Sequence, residues 1–184
     1  MQKPQLETLR ICFVSQKFPI FDRTADCGYL WPLAKKLASK GHDINVITPD
    51  PSVDRVVKMP ENLHIYRLTN YRDSALDQLE QLHLEKPFHL VHSVDNSGLT
   101  IALHKKQLNI RLASDVKGTQ LDQIFGLWAL AEDTVGSYLK MSAAILQKFL
   151  KSFFGDDKKL LKNSDAVFVS SEEQMEILER YYRY

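Results

Sequence analysis

The first fifty residues constrain the fold most strongly. Residues 9–15 form a short apolar run rich in β-forming residues, and residues 44–48 form a second. Between them, residues 28–40 place leucine and alanine at helical spacing, after an aperiodic stretch over residues 16–27. Two apolar strands joined by a helix of this length are typical of a βαβ unit in a parallel sheet.

The remaining sequence repeats this alternation. Apolar or alternating runs predict four further strands, at residues 63–68, 88–93, 110–114 and 165–170. Helical patterns lie between and after them, at residues 73–85, 97–107, 120–163 and 171–182. The long tract at 120–163 should break near residues 131–133 and 155–156. We therefore predict a doubly wound parallel sheet of the Rossmann-like α/β class, with a helical insertion before the last strand and the alternating run at 63–68 near a sheet edge.

Composition excludes several classes of protein. The 184 residues suit one domain, and a net charge of +1 argues against nucleic-acid binding driven by phosphate neutralisation. Two cysteines do not suggest a disulfide framework, so we expect a reducing compartment. The polar amino terminus lacks the apolar core of a signal peptide, and no run reaches the roughly 18 apolar residues of a membrane span. These features predict a cytoplasmic protein.

Ligands of doubly wound sheets bind beyond the carboxyl ends of the strands, so the residues after each strand are candidates. Cys27 and Gly28 lie at the start of the first predicted helix, where backbone N–H groups can hold a phosphate. Alternatively, Gly28 has only a structural role and allows the backbone to turn before the helix. The G-x-G-x-x-G fingerprint and the Walker lysine pattern are absent, which argues against classical NAD or ATP binding through this loop.

Six segments carry a recognisable pattern in a fixed order, namely residues 10–15, 27–28, 33–48, 88–93, 109–119 and 163–172. This ordered set resembles family 4 glycosyltransferases, which are retaining enzymes of the GT-B fold. Residues 10–15, Cys27-Gly28 and residues 33–48 resemble the family's first strand, its glycine-rich loop and a helix ending in a glycine-histidine-acid-valine phrase. Residues 88–93, 109–119 and 163–172 resemble its later strands in the same order. The resemblance covers nearly the whole chain.

The resemblance implies two Rossmann-like domains with the active site between them, one on the acceptor side and one that binds the donor. Residues 1–184 would be the amino-terminal, acceptor-side domain, and the carboxy-terminal donor-binding domain would be absent from this chain. The full-length protein would be a retaining glycosyltransferase, whereas this chain alone should not transfer sugar. The implied ligands are a nucleotide-sugar co-substrate and a small-molecule, glycan or lipid-linked acceptor, with no metal and no cofactor.

The resemblance also implies roles for individual residues. Gly28 matches a glycine whose backbone approaches the donor diphosphate, and Cys27 stands where another glycine is usual, so both are assigned to donor binding. Asp95 and Asn96 match an acceptor-side position. Glu172 matches the glutamate of a valine-serine-glutamate phrase and is also assigned to acceptor binding, although a place in the first turn of a helix explains it equally well.

Lys117 is the candidate catalytic residue, and it departs from the family pattern. It stands where the family has a histidine facing the transferred sugar. A lysine is normally cationic at neutral pH, so it can stabilise phosphate or sugar charge but cannot replace a neutral imidazole without a large pKa shift. An alternative is therefore a non-catalytic sugar- or partner-binding Rossmann-like module, and a third is an unrelated nucleotide-binding domain.

Other distinctive residues have structural explanations that we favour. His42 is expected to serve capping and packing, and His92 is expected to be a satisfied core histidine rather than a cleft residue. No Cys/His/acid cluster has zinc-site spacing. The aromatic and lysine-rich tract at 120–163 predicts a helical layer over the sheet. Its alternative is a face for peripheral contact with anionic membrane or a lipid-linked acceptor.

Overall fold

A parallel β-sheet forms the centre of the protein, in a computed structural model that describes residues 7–20, 27–55, 58–119, 142–147 and 155–184. Its six strands are β1 (Arg10–Val14), β2 (Asp43–Thr48), β3 (Leu63–Arg67), β4 (Leu90–Val94), β5 (Leu112–Val116) and β6 (Ala166–Val169). They lie in the order β3-β2-β1-β4-β5-β6, and every neighbouring pair is parallel. The predicted doubly wound sheet is confirmed, and β3 is the half-exposed edge strand that its alternation predicts.

Helices cover both faces of the sheet. They are α1 (Leu30–Ser39), α2 (Tyr71–Glu85), α3 (Leu99–Leu108), α4 (Asp156–Asn163) and α5 (Glu172–Ile177), which continues into a π-helical turn (Leu178–Tyr182). Short 3₁₀ helices follow β2 (Pro51–Arg55) and β4 (Asp95–Gly98). The insertion before β6 contains α4, which begins at the predicted break, and a helical segment at residues 142–147. The predicted break near residues 131–133 and much of the aromatic tract lie outside the described residues.

Alternate residues of the strands supply two apolar cores. On one face α1 packs against the sheet, and the buried side chains include Ile11, Phe13, Leu30, Ala34, Ile44 and Val46. On the other face α2, α3 and α4 pack, with Cys12, Val14, Leu79, Val91, Ile101 and Leu160 in the core. Burial on both faces explains why the central strands are apolar almost throughout. Within the described ranges, no helix has the length and apolar character to cross a membrane.

Strand β5 lies two residues later than predicted, and this shift matters for the site. The preceding helix α3 ends at Asn109, whose φ of 52° turns the backbone, and the Ile110 N–H still bonds to the helix at Lys105 O. Pairing with β4 therefore starts at Leu112 and places Asp115 opposite Val94. The carboxylate of Asp115 thus enters the sheet near its carboxyl end instead of lying in the following loop.

Buried hydroxyl groups tie β4 and β5 to α4. The Ser93 and Ser114 hydroxyls are 3.1 Å apart, the Ser114 and Ser164 hydroxyls are 2.7 Å apart, and Ser164 donates to Leu160 O at 2.8 Å. Gly98 packs directly against these hydroxyl-bearing residues, because a Cβ atom added at Gly98 would lie 2.3 Å from the Ser93 side chain. The loop after β4 is therefore held close against the sheet.

Candidate functional site

The carboxyl end of the sheet contains a cavity of about 590 Å³, formed by the loops after β1, β4 and β5 and by the start of α1. Four of the six predicted site residues line it together: Cys27, Asp95, Asn96 and Lys117. The other two, Gly28 and Glu172, do not line this cavity. Gly28 is buried in the turn before α1, and Glu172 is exposed in the first turn of α5.

Lys117 is fixed through its backbone and its side chain. Its N–H donates to Asp95 Oδ1 at 2.7 Å, and its carbonyl accepts a hydrogen bond from Gln174 Nε2 at 2.6 Å. Its Nζ atom lies 3.1 Å from Asp115 Oδ2 and 4.4 Å from the centre of the Tyr29 ring. The side chain is 34% exposed, so the ammonium group contacts these partners and the cavity at once.

Asp115 and Tyr29 are functional candidates that the sequence interpretation missed. Asp115 is 4% exposed, and it accepts a hydrogen bond from the Tyr29 hydroxyl in addition to its ion pair with Lys117. A buried carboxylate is stable only when it is paired and hydrogen-bonded in this way. The signal was present, because Asp115 is the only charged residue within β5. It was missed because the strand was predicted two residues too early.

The turn before α1 keeps a glycine-like backbone without a glycine. Cys27 has φ of +67°, in the left-handed region that glycine favours, and its carbonyl accepts the Leu30 N–H at 3.0 Å. The third residue of α1 is Pro32, which has no N–H. Of the first three residues of α1, Leu30 already uses its N–H and Pro32 has none, so the helix start offers a phosphate two fewer donors than a typical one.

The loop after β4 contains Asp95, which stabilises the neighbouring loop, and Asn96, whose side chain faces the cavity. Asp95 has φ of 47° and holds the Lys117 N–H, so a structural role accounts for its carboxylate. The exposed Asn96 side chain forms no hydrogen bond to the described residues and faces the cavity. On α5, Gln174 contacts the Lys117 loop, while Glu172 stands beside the Ser171 cap that the sequence predicts. The acceptor-binding role of Glu172 stays a prediction.

His92 is buried in the sheet near the cavity. Its ring lies 5.2 Å from that of Phe13 and 5.8 Å from that of Phe168, measured between centres. Burial, with a smaller effect of the Lys117 charge, lowers the pKa of His92 to about 4. It is a core histidine as predicted, but it is not satisfied, because Nε2 has no hydrogen-bond partner among the described residues.

The other predicted structural histidine, His42, accepts the Leu9 N–H at its Nδ1 atom, 3.2 Å away, which confirms a packing role. In the part of the chain that the structure describes, no group of three His, Cys, Asp or Glu side chains could hold a metal ion.

Comparison with known proteins supports the fold. No protein-family sequence model matches the chain, and no curated protein matches it in sequence. In three dimensions it is similar to a sucrose-phosphate synthase from Thermosynechococcus elongatus, with a TM-score of 0.56 and 16% identity over 94% of this chain and 82% of that one. It is also similar to UGT73P12 of Glycyrrhiza uralensis, crystallised with glycyrrhetinic acid 3-O-monoglucuronide, with a TM-score of 0.50 and 11% identity.

The second similarity covers 96% of this chain but 46% of UGT73P12, so the chain spans about half the length of that protein. At these identities the similarity establishes the fold alone: the chain has a Rossmann-like α/β architecture that it shares with domains of these two proteins.

Proposed function

We propose that this chain forms the acceptor-side half of the active-site cleft of a glycosyltransferase that uses a nucleotide-sugar donor. One observation supports this most strongly. The candidate residues from three separate segments, Cys27, Asp95–Asn96 and Lys117, line one cavity at the carboxyl end of the sheet. That is where α/β sheets of this topology bind ligands, and the fold is that of glycosyltransferase domains.

In this proposal Lys117 provides positive charge where the donor bears negative charge. The Nζ atom uses Asp115 as a permanent partner and retains N–H groups for a phosphate or for charge developing on the departing diphosphate. Because Asp115 compensates the charge in the unliganded site, the ammonium stays in place without an unpaired buried charge. Asp115 and Tyr29 are then positioning residues, and Lys117 is the residue that touches substrate.

Transfer further requires a group that holds the nucleotide, and we propose that a second Rossmann-like domain supplies it across the cavity. The reaction would retain the configuration of the sugar, with the acceptor hydroxyl attacking on the face from which the diphosphate leaves. The donor would be a co-substrate, and no cofactor would take part. Asn96, whose amide lies at the cavity wall and has no hydrogen bond to the described residues, would bind acceptor hydroxyls.

A panel of nucleotide sugars tests the proposal. The protein that contains this chain and its donor-binding domain should release nucleoside diphosphate in the presence of a suitable acceptor. Lys117→Ala should lower kcat/KM by about a hundredfold, the usual effect of losing one preorganised electrostatic group. Lys106→Ala, at an exposed lysine near the end of α3, is the matched control and should not change it. Turnover unaffected by Lys117→Ala would remove this residue from the site.

The chain alone separates the remaining possibilities. It should bind nucleotide sugars weakly without turning them over. Turnover by the 184 residues alone would disprove the division into two domains. Tight binding of NAD by the chain would disprove the glycosyltransferase proposal.

One observation favours the alternative of a non-catalytic sugar- or partner-binding module. The Lys117 ammonium is already neutralised by Asp115. If the whole protein binds nucleotide sugars or glycans but transfers no sugar to any acceptor, this alternative replaces the enzyme.

A further inference from the structure

Two further concavities adjoin the Lys117 cavity on the side of α2. One, of about 580 Å³, lies between the loop after β1 and the start of α2. The other, of about 380 Å³, lies between α2 and α3. Gln16 and Arg72 line both of them and the Lys117 cavity as well. The three therefore meet along one edge, which Gln16 and Arg72 form.

Arg72 is a cation with no partner in the part of the chain that the structure describes. It is exposed at the second position of α2, and it forms no hydrogen bond or ion pair with the described residues. The two arginines within the described strands are engaged: Arg10 donates to Leu82 O and forms an ion pair with Asp43, and Arg67 pairs with Asp54. A free guanidinium offers a planar set of donors that fits a carboxylate or a phosphate.

Tyr71, the residue before it, adds a buried donor. It is 8% exposed and lines both concavities, and its Oη atom forms no hydrogen bond within normal limits among the described residues. The nearby Ser97 hydroxyl already accepts the Gln16 N–H at 3.1 Å. Burial raises the pKa of Tyr71, against a smaller opposite effect of Ser97, so the hydroxyl keeps its proton. A buried hydroxyl that the described residues leave without a hydrogen bond can donate to a ligand or to water.

The start of α2 adds a third contribution. The helix has 15 residues, and the side chain of its N-cap residue, Asn70, makes no capping hydrogen bond. Its first N–H groups and the positive end of its dipole therefore remain available to an anion. Two carboxylates line the same space, Asp73 in the larger concavity and Asp156 in the smaller. They disfavour a bare polyanion and can accept hydrogen bonds from hydroxyl groups.

We propose that Arg72, the Tyr71 hydroxyl and the first turn of α2 form a subsite for an anionic group, phosphate or carboxylate, on a hydroxyl-bearing acceptor. The anion contacts Arg72 and Tyr71, and sugar hydroxyls contact Asp73 or Asp156. That this ligand is the acceptor rests on the proposed function, because the subsite opens into the cavity that contains Lys117. The subsite itself is defined by its own residues.

Binding to the 184-residue chain tests the subsite without any turnover. The probes are glucose 6-phosphate, glucuronate and glucose. Their binding is measured from amide shifts in the ¹H–¹⁵N NMR spectrum. Both anionic probes should shift amides at the start of α2, with glucose binding about ten- to a hundredfold more weakly, since one charge-assisted hydrogen bond contributes about 1.5–3 kcal/mol. Tighter binding of glucose 6-phosphate than of glucuronate identifies phosphate as the group, and the reverse identifies a carboxylate.

Variants locate the effect. Arg72→Ala should remove the advantage of the anionic probes over glucose, and Arg111→Ala, at an exposed arginine at the amino end of β5, should keep it. Tyr71→Phe should weaken anion binding several-fold, with an unfolding midpoint close to wild type because only a hydroxyl without a partner is lost. Equal affinity for glucose and the anions, no shift with any probe, or an unaffected Arg72→Ala variant would overturn the subsite.

These results are independent of the proposed function. Sugar transfer by the whole protein without anion preference would disprove the subsite alone. Anion preference without transfer would disprove the proposed reaction alone.

Discussion

The two ends of the sheet treat their polar side chains differently. At the amino end, the buried Arg10 donates to Leu82 O at 2.7 Å, pairs with Asp43 at 3.3 Å and lies 4.2 Å from the centre of the Phe88 ring. His89 Nδ1 accepts the Arg10 N–H at 2.8 Å, and Lys86 completes the ion pairs of Asp43. Most of these groups bond to one another or to the backbone, so they stabilise the fold, and Arg10 Nε is the exception that has no hydrogen bond among the described residues.

At the carboxyl end, several polar groups are held in place but keep unused bonding capacity. Asn96 and Arg72 have no partner among the described residues, the Tyr71 hydroxyl is buried without a normal hydrogen bond, and Lys117 is braced by Asp115 while it faces a cavity. Unused polar groups reduce stability unless a ligand satisfies them. Polar residues that stand out equally in the sequence can therefore stabilise the fold at the amino end of the sheet and serve ligand binding at its carboxyl end.

The largest expected effect on stability comes from substituting one of two glycines, Gly98 and Gly41, which lie at opposite ends of the sheet. At Gly98 an added Cβ would overlap the Ser93 side chain at 2.3 Å, so Gly98→Ala should lower the free energy of unfolding by about 3 kcal/mol or more. A Cβ atom added at Gly41 would lie more than 4 Å from the described residues other than its chain neighbours, but φ is +93°, so Gly41→Ala should cost only about 1 kcal/mol. Denaturant unfolding measures both values. Equal losses would show that close packing does not fix the loop after β4.

Two arginines test the contrast directly. Arg10→Ala leaves Asp43 without its buried partner and should destabilise the fold by about 3 kcal/mol. Arg72→Ala should change stability by less than about 0.5 kcal/mol, because its exposed side chain has no partner among the described residues. Lys86→Ala, at a 64% exposed side chain, should cost under about 1 kcal/mol. A large loss in Arg72→Ala would mean that the carboxyl end is also structural.

The pH dependence of stability tests the burial of His92. Its pKa is lowered from 6.5 to about 4 in the fold, so between these values the unfolded chain binds a proton that the folded chain does not. The free energy of unfolding should therefore fall as pH falls from 6.5 to 4, by up to about 3 kcal/mol from this residue.

His92→Phe should flatten that part of the curve, which urea unfolding at several pH values would measure. Lys117→Met should flatten it only slightly, because burial is the larger cause of the shift. An unchanged slope in His92→Phe would show that the ring is accessible to water.

The smallest effect is expected at Cys27. Cys27→Gly relieves a left-handed backbone conformation but loses a buried side chain, so the free energy of unfolding should change by less than about 1 kcal/mol. Cys27→Val places a β-branched residue at the same φ and should cost about 2 kcal/mol. Calorimetry of the Cys27→Gly and Cys27→Val variants would measure the difference in their unfolding temperatures. Similar unfolding temperatures would indicate that the turn rearranges freely and does not present a fixed path to a ligand.

The sequence predicted the sheet well because parallel strands buried on both faces are rich in apolar and β-branched residues, as in β1 and β2. It placed β5 wrongly because Ile110 is apolar whether it ends a turn or starts a strand. Helix α2 begins two residues before the predicted start, so Tyr71 and Arg72 were assigned to a loop. Element boundaries depend on turn geometry and register, which are tertiary properties.

The candidate site could be predicted only in outline. Strand-end positions identified Lys117, Asp95 and Asn96, because topology alone brings these loops together. The contribution of Tyr29 depends on a contact between residues 86 positions apart, which no local pattern encodes.

The most direct test of the central claim is a ¹H–¹⁵N NMR titration of the 184-residue chain with nucleotide sugars, beginning with UDP-glucose and GDP-mannose. The account predicts that at least one nucleotide sugar shifts the amides of Gln16, Asn96 and Lys117, that His42 and His89 at the amino end do not respond, and that Lys117→Ala weakens binding. Shifts confined to the amino end, or no shifts with any nucleotide sugar at millimolar concentration, would contradict it.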